Sequence, residues 1–76
     1  MDSIQAYSFV ATYQKIPRGY MGRIVGFPGV ISEGKTIEVC RESLNDALKE
    51  MILAYQQEGQ PLPIGQPIFE SLLVEA

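Results

Sequence analysis

The chain reads as a single α+β domain: a small antiparallel sheet with one long helix on one face. Three observations predict this. Residues 4–13 and 20–27 are rich in aromatic and β-branched side chains and are separated by Pro17-Arg18-Gly19. The run Phe27-Pro28-Gly29-Val30-Ile31-Ser32-Glu33-Gly34-Lys35-Thr36 combines two turn signals with a helix cap. Beyond it, apolar residues recur with the helical period of about 3.6. With 76 residues the chain makes one domain with a modest core. Its 46% hydrophobic content argues against bulk disorder.

The elements follow in order. Residues 4–13 are expected as the first strand, with Tyr7, Phe9, Ala11 and Tyr13 on one face and Ile4, Ala6, Val10 and Thr12 on the other. Both faces are partly apolar, which predicts a central place in the sheet. Pro17 stops strand pairing, and residues 14–19 read as a connection longer than a two-residue hairpin. Residues 20–27 form the second strand, with Met21, Arg23, Val25 and Phe27 on one face and Tyr20, Gly22, Ile24 and Gly26 on the other. Pro28-Gly29 suits the centre of a type II turn. Residues 30–32 then form a short third strand, and Glu33-Gly34 turns the chain again.

Thr36 caps a helix expected over residues 37–58, about 33 Å long at 1.5 Å per residue. Its apolar stripe is Ile37, Cys40, Leu44, Ala47, Leu48, Met51, Ile52 and Tyr55, and Gly59 ends it as a left-handed cap. A proline-bearing connector, residues 60–67, leads to a last strand at 68–74, whose apolar residues lie on both faces. The predicted order is β-β-β-α-β. Because the helix covers only one face of the sheet, self-association into a dimer or higher oligomer is expected to cover more of it.

The chemistry is sparse. There is no histidine and one cysteine, Cys40, which reads as a small buried hydrophobe. A disulfide within the chain is excluded, and a Cys/His zinc site has too few ligands. No catalytic, metal or cofactor-binding residues are assigned, and the chain is read as non-enzymatic. Glu33-Gly34-Lys35-Thr36 ends like a phosphate-binding loop but lacks the preceding glycine pattern. Tyr7, Phe9 and Tyr13 have the shape to stack bases, yet the accompanying cations are only Lys15, Arg18 and Arg23, so packing is the favoured role. The net charge is −3, and no basic residue follows Lys49, whereas Glu50, Glu58, Glu70 and Glu75 do. That pattern argues against a phosphate-backbone surface and makes direct DNA binding unexpected. No apolar stretch approaches the ~20 residues of a membrane span. Met1-Asp2-Ser3 does not open a signal peptide, so a cytoplasmic location is expected.

An ordered set of short motifs resembles the HicB-like antitoxin family of type II toxin–antitoxin systems. The matching residues are Tyr7 and Val10, Gly19-Tyr20-Met21-Gly22, Phe27-Pro28-Gly29-Val30, Ser32-Glu33-Gly34, Thr36-Ile37-Glu38, Ala47-Leu48 and Gly59-Gln60-Pro61-Leu62-Pro63. The resemblance implies a partial ribonuclease-H-like fold. It also implies a domain that is not itself a nuclease but binds and masks a small basic ribonuclease toxin. The DNA-binding domain common in the family has no counterpart in these 76 residues. Val39 and Cys40 depart from the family pattern, as do Pro17 and Arg18. Tyr20, Arg23 and Glu33 are the candidate partner surface, while Pro28, Gly29, Gly34, Thr36 and Gly59 are read as fold-determining. The alternatives are a homo-oligomeric domain with another protein or small-molecule partner, and a weak nucleic-acid-binding module.

Overall fold

The computed structural model describes residues 8–63 and 68–76. Three strands, β1 (Ala11–Ile16), β2 (Gly19–Ile24) and β3 (Phe27–Gly34), precede one helix, α1 (Ile37–Gln57). The sheet is antiparallel with spatial order β1-β2-β3. The helix packs across β3 and β2.

The first hairpin is tighter than the proline suggests. Ile16 pairs with Gly19, so only Pro17 and Arg18 form the loop, correcting the longer connection expected over residues 14–19. Pro17 lies in the turn itself, where no ladder bond is asked of its nitrogen. The strand expected at 4–13 therefore continues to Ile16. Of that expectation, residues 4–7 lie outside the described residues, and residues 8–10 precede the strand. The Val10 carbonyl still accepts a bond from the Val25 amide at 2.8 Å. Nor is β1 central: it is an edge strand, and β2 occupies the middle.

The second turn also moves. Pro28 and Gly29 lie within β3 rather than forming a type II turn, and Gly29 does not have the positive φ such a turn requires. The turn falls at Val25-Gly26 instead, where Gly26 has φ +80°. Pro28 is tolerated because β3 is an edge strand, with one side free of ladder bonds. A register shift between Arg23 and Ile24 absorbs the change of direction. At its other end β3 continues through Glu33 and Gly34, which pair with Met21 and Tyr20, so these residues do not turn either. The third strand is accordingly longer than the short 30–32 segment expected.

The Thr36 hydroxyl accepts the Val39 amide proton at 3.1 Å and caps the helix. At the opposite end the Gly59 amide donates to the Gln56 carbonyl and the Gln60 amide to the Tyr55 carbonyl. With Gly59 at φ +67°, this is a Schellman motif. Ile24, Phe27, Val30 and Leu44 form the buried core, joined at its margin by Phe9, Tyr13, Leu48 and Tyr55. Phe27 meets Tyr55 edge-on at 5.3 Å between ring centroids. The Cys40 side chain is fully buried, and the Ser32 hydroxyl donates to the Cys40 carbonyl at 3.0 Å, fastening β3 to the helix.

The fourth strand expected at 68–74 is absent. Residues 68–76 form neither strand nor helix, and the described order is β-β-β-α. Strand composition alone does not make a strand: the backbone groups need a partnered edge and the side chains need cover.

Candidate functional site

Strand alternation divides the sheet into two faces of different chemistry. Gly22, Ile24, Val30 and Ser32 point to the helix; a Cβ added at Gly22 would lie 3.1 Å from both Cys40 Sγ and Leu44. The opposite face carries the intervening residues, and the register sets them in two cross-strand rows. Thr12, Arg23 and Ile31 form one row; Gln14, Met21 and Glu33 form the other. Ile16 continues the same face toward the hairpin. No described element covers these side chains.

This open face mixes apolar contact area with charge. Ile31 is 47% exposed although it sits mid-strand. Near the hairpin, Ile16, Pro17, Arg18, Met21 and Glu33 line a shallow depression. Arg18 bridges to Glu33 at 3.3 Å, with both side chains largely in solvent. Such a pair is worth at most about 1 kcal/mol, and it lies beside Ile16 and Met21. The Arg23 guanidinium approaches the Met21 sulfur at 3.9 Å. At the other end Arg23, Pro28 and Ile31 line a second shallow depression.

The structure thus places Arg23 and Glu33 on one surface and sets Tyr20 apart from them. Tyr20 lies on the helix side, paired with Lys15, whose ammonium sits 5.0 Å from the ring centroid. Of the three, Arg23 and Glu33 share a face, where Arg18, Met21 and Ile31 lie near them. Same-face alternation of Met21 with Arg23 is visible in the sequence. The contribution of Ile31 depends on a β2–β3 register that a misplaced turn conceals.

A second concavity lies on the helix side, between β1 and α1. Phe9, Ala11 and Tyr13 form one wall and Leu44, Leu48 and Arg41 the other, with the Arg41 guanidinium 5.9 Å from the centre of the Tyr13 ring. Among the described residues, no group of three or more His, Cys, Asp or Glu is arranged to hold a metal ion. Among them too, no helix is long and apolar enough to cross a membrane.

A family described as UPF0150-like matches the chain over residues 4–63. That span takes in β1 to α1 and the helix cap and stops before residues 68–76. No curated protein and no solved structure matches the chain.

Proposed function

The chain belongs to this UPF0150-like family, and we propose that it is a non-enzymatic protein-binding domain of HicB-like antitoxin type, masking a small basic ribonuclease through the open face of its sheet. The observation that carries this reading is that face: Ile16, Met21 and Ile31 supply apolar area, and Arg23 and the Arg18–Glu33 pair surround it. An apolar centre with a polar rim is the composition of a protein interface. The β-β-β-α order with a one-sided helix is read as part of a ribonuclease-H-like fold. Acidic residues support the choice of a basic partner. Glu58 caps the C-terminal end of the helix, whose last turn has no cation, and the chain carries a net charge of −3. Such a field speeds encounter with a basic protein more than it adds affinity. A cytoplasmic location belongs to the same reading.

The test is to read the neighbouring reading frames for a small basic protein and, with such a protein in hand, to assay its co-purification with this chain and its ribonuclease activity; a neighbourhood without one defeats the reading. A stable complex with loss of ribonuclease activity is expected. Ile31→Asp should weaken the complex at least about tenfold, as loss of a central apolar contact does, while leaving the circular dichroism spectrum unchanged. Absence of a complex, or a complex in which the ribonuclease stays active, defeats the reading. Salt-dependent RNA binding by the domain alone would assign it to nucleic-acid recognition instead.

A further inference from the structure

The groove on the helix side differs in kind from the two depressions on the open face. Phe9 and Tyr13 wall it from the side of β1 and Leu44 and Leu48 from α1, while Ile24, 6% exposed, closes it from within. These walls belong to the core and its margin, so the groove is a gap between strand and helix rather than a dimple on a sheet. Its volume of about 250 Å³ lies at the small end of ligand sites. A gap of that size takes a short acyl chain or a single ring, whereas a helix about 10 Å across does not fit.

The rim of this groove is cationic. Arg41 stands on its helix wall with the guanidinium 5.9 Å from the centre of the Tyr13 ring, and that contact holds the charge at the mouth. Among the described residues Arg41 makes no ion pair, unlike Arg18, which meets Glu33, and no carboxylate lines the groove. Asn45 lies four residues along the helix, on the same side, and adds an amide donor beside the guanidinium. Donors at the rim of an apolar gap suit a ligand that is anionic at one end and hydrocarbon at the other. A carboxylate matches the planar guanidinium fork, which binds it through two parallel bonds.

We propose that the groove binds a small carboxylate with an apolar body, the carboxylate on Arg41 and Asn45 and the hydrocarbon against Phe9, Leu44 and Leu48. Charge complementarity selects this occupant. An apolar body lying in the groove strips water from the guanidinium beside it, which costs free energy unless an anion takes the place of that water. A neutral or cationic molecule of the same shape leaves that cost unmet. The site lies on the opposite side of the sheet from the open face, so it does not rest on the antitoxin reading.

The probe is octanoate below its micellar concentration, titrated into the isotope-labelled full chain and followed by NMR. Saturable shifts are expected at Ala11, Tyr13, Leu44 and Leu48, with NOEs from the octanoate chain to Phe9 or Leu48. Hexanoate, with two fewer methylenes to bury, should bind up to about tenfold more weakly. Octanol and octylamine should each bind at least about tenfold more weakly than octanoate, and Arg41→Gln should weaken octanoate by the same factor. Asn45→Asp, at an exposed position, sets a carboxylate beside Arg41 and should displace octanoate while leaving the circular dichroism spectrum unchanged. Lys49→Gln removes an exposed cation outside the groove and should leave octanoate binding as it was. Absence of saturable binding, equal affinity for octanol, or an octanoate affinity indifferent to Arg41→Gln would each overturn the proposal. So would shifts confined to the exposed apolar residues 68–74, or NOEs placing those residues in the groove. Failure of the ribonuclease assay would leave these measurements unaffected.

Discussion

On the helix side of the sheet, Ile24 and Val30 are almost completely buried against Leu44, with Phe27 closing one end of the core. One residue away along the same strands, Arg23 and Ile31 stand in solvent on the other side. The two faces share a backbone and differ in what their side chains must do. The first must repay the entropy of ordering a small chain, because a domain of this size has about 4–11 kcal/mol of total stability. The second contributes little to folding, so its mixture of Ile, Met, Arg and Glu is free to serve contacts outside the domain. Substitutions that separate folding from binding should therefore map cleanly onto the two faces.

The sharpest way to break this contrast is to truncate both sides. Phe27→Ala removes a ring that is only 3% exposed and packs against both Phe9 and Tyr55. The loss should be about 3–5 kcal/mol, enough to unfold much of the population, and urea denaturation monitored by circular dichroism would measure it. Ile31→Ala, at 47% exposure, should cost about 1 kcal/mol or less in the same experiment. Comparable losses at the two positions would mean that the open face is covered in the isolated protein.

How much of this contrast the amino-acid order reveals varies along the chain. The helix is legible because period, cap and terminal glycine agree: Thr36, the stripe from Ile37 to Tyr55, and Gly59 mark its course independently. The strands are less legible because their turn residues carry double meanings. Pro28-Gly29 has turn composition, but an edge strand tolerates both residues, and it is Gly26 that takes the positive φ. Pro17 likewise marks the hairpin loop itself rather than the end of a strand several residues earlier. Since cross-strand neighbours follow from turn position, these shifts hide the Thr12–Arg23–Ile31 row and the separation of Tyr20 from Glu33. For residues 68–74, composition records a strand-like apolar run, but no described strand pairs with it.

The junction between the faces offers a smaller effect. Gly34 is close enough to the helix that a Cβ there would lie 2.5 Å from the Cys40 nitrogen. The chain must then start α1 almost at once, and the Thr36 hydroxyl satisfies the Val39 amide at that start. Thr36→Ala should cost about 1 kcal/mol, read as a lower urea midpoint with an unchanged slope. Thr36→Ser, which retains the accepting oxygen, should recover most of that loss. Equal destabilisation by both substitutions would show that the methyl group, rather than the cap, is what matters.

The smallest expected effect lies wholly on the open face. The Arg18–Glu33 pair spans 3.3 Å between side chains 82% and 51% exposed, so water screens most of its attraction. Arg18→Ala should change stability by no more than about 0.5 kcal/mol, and the residual effect should vanish in high salt. Its influence on partner binding should be larger than its influence on folding, because the pair overhangs the patch of Ile16 and Met21. Glu33→Ala tests the same point from the acidic side and removes a carboxylate that a basic partner would meet. If Arg18→Ala lowered the thermal midpoint as much as Thr36→Ala does, the ion pair would be part of the folding machinery and the division between the two faces would fail at the hairpin.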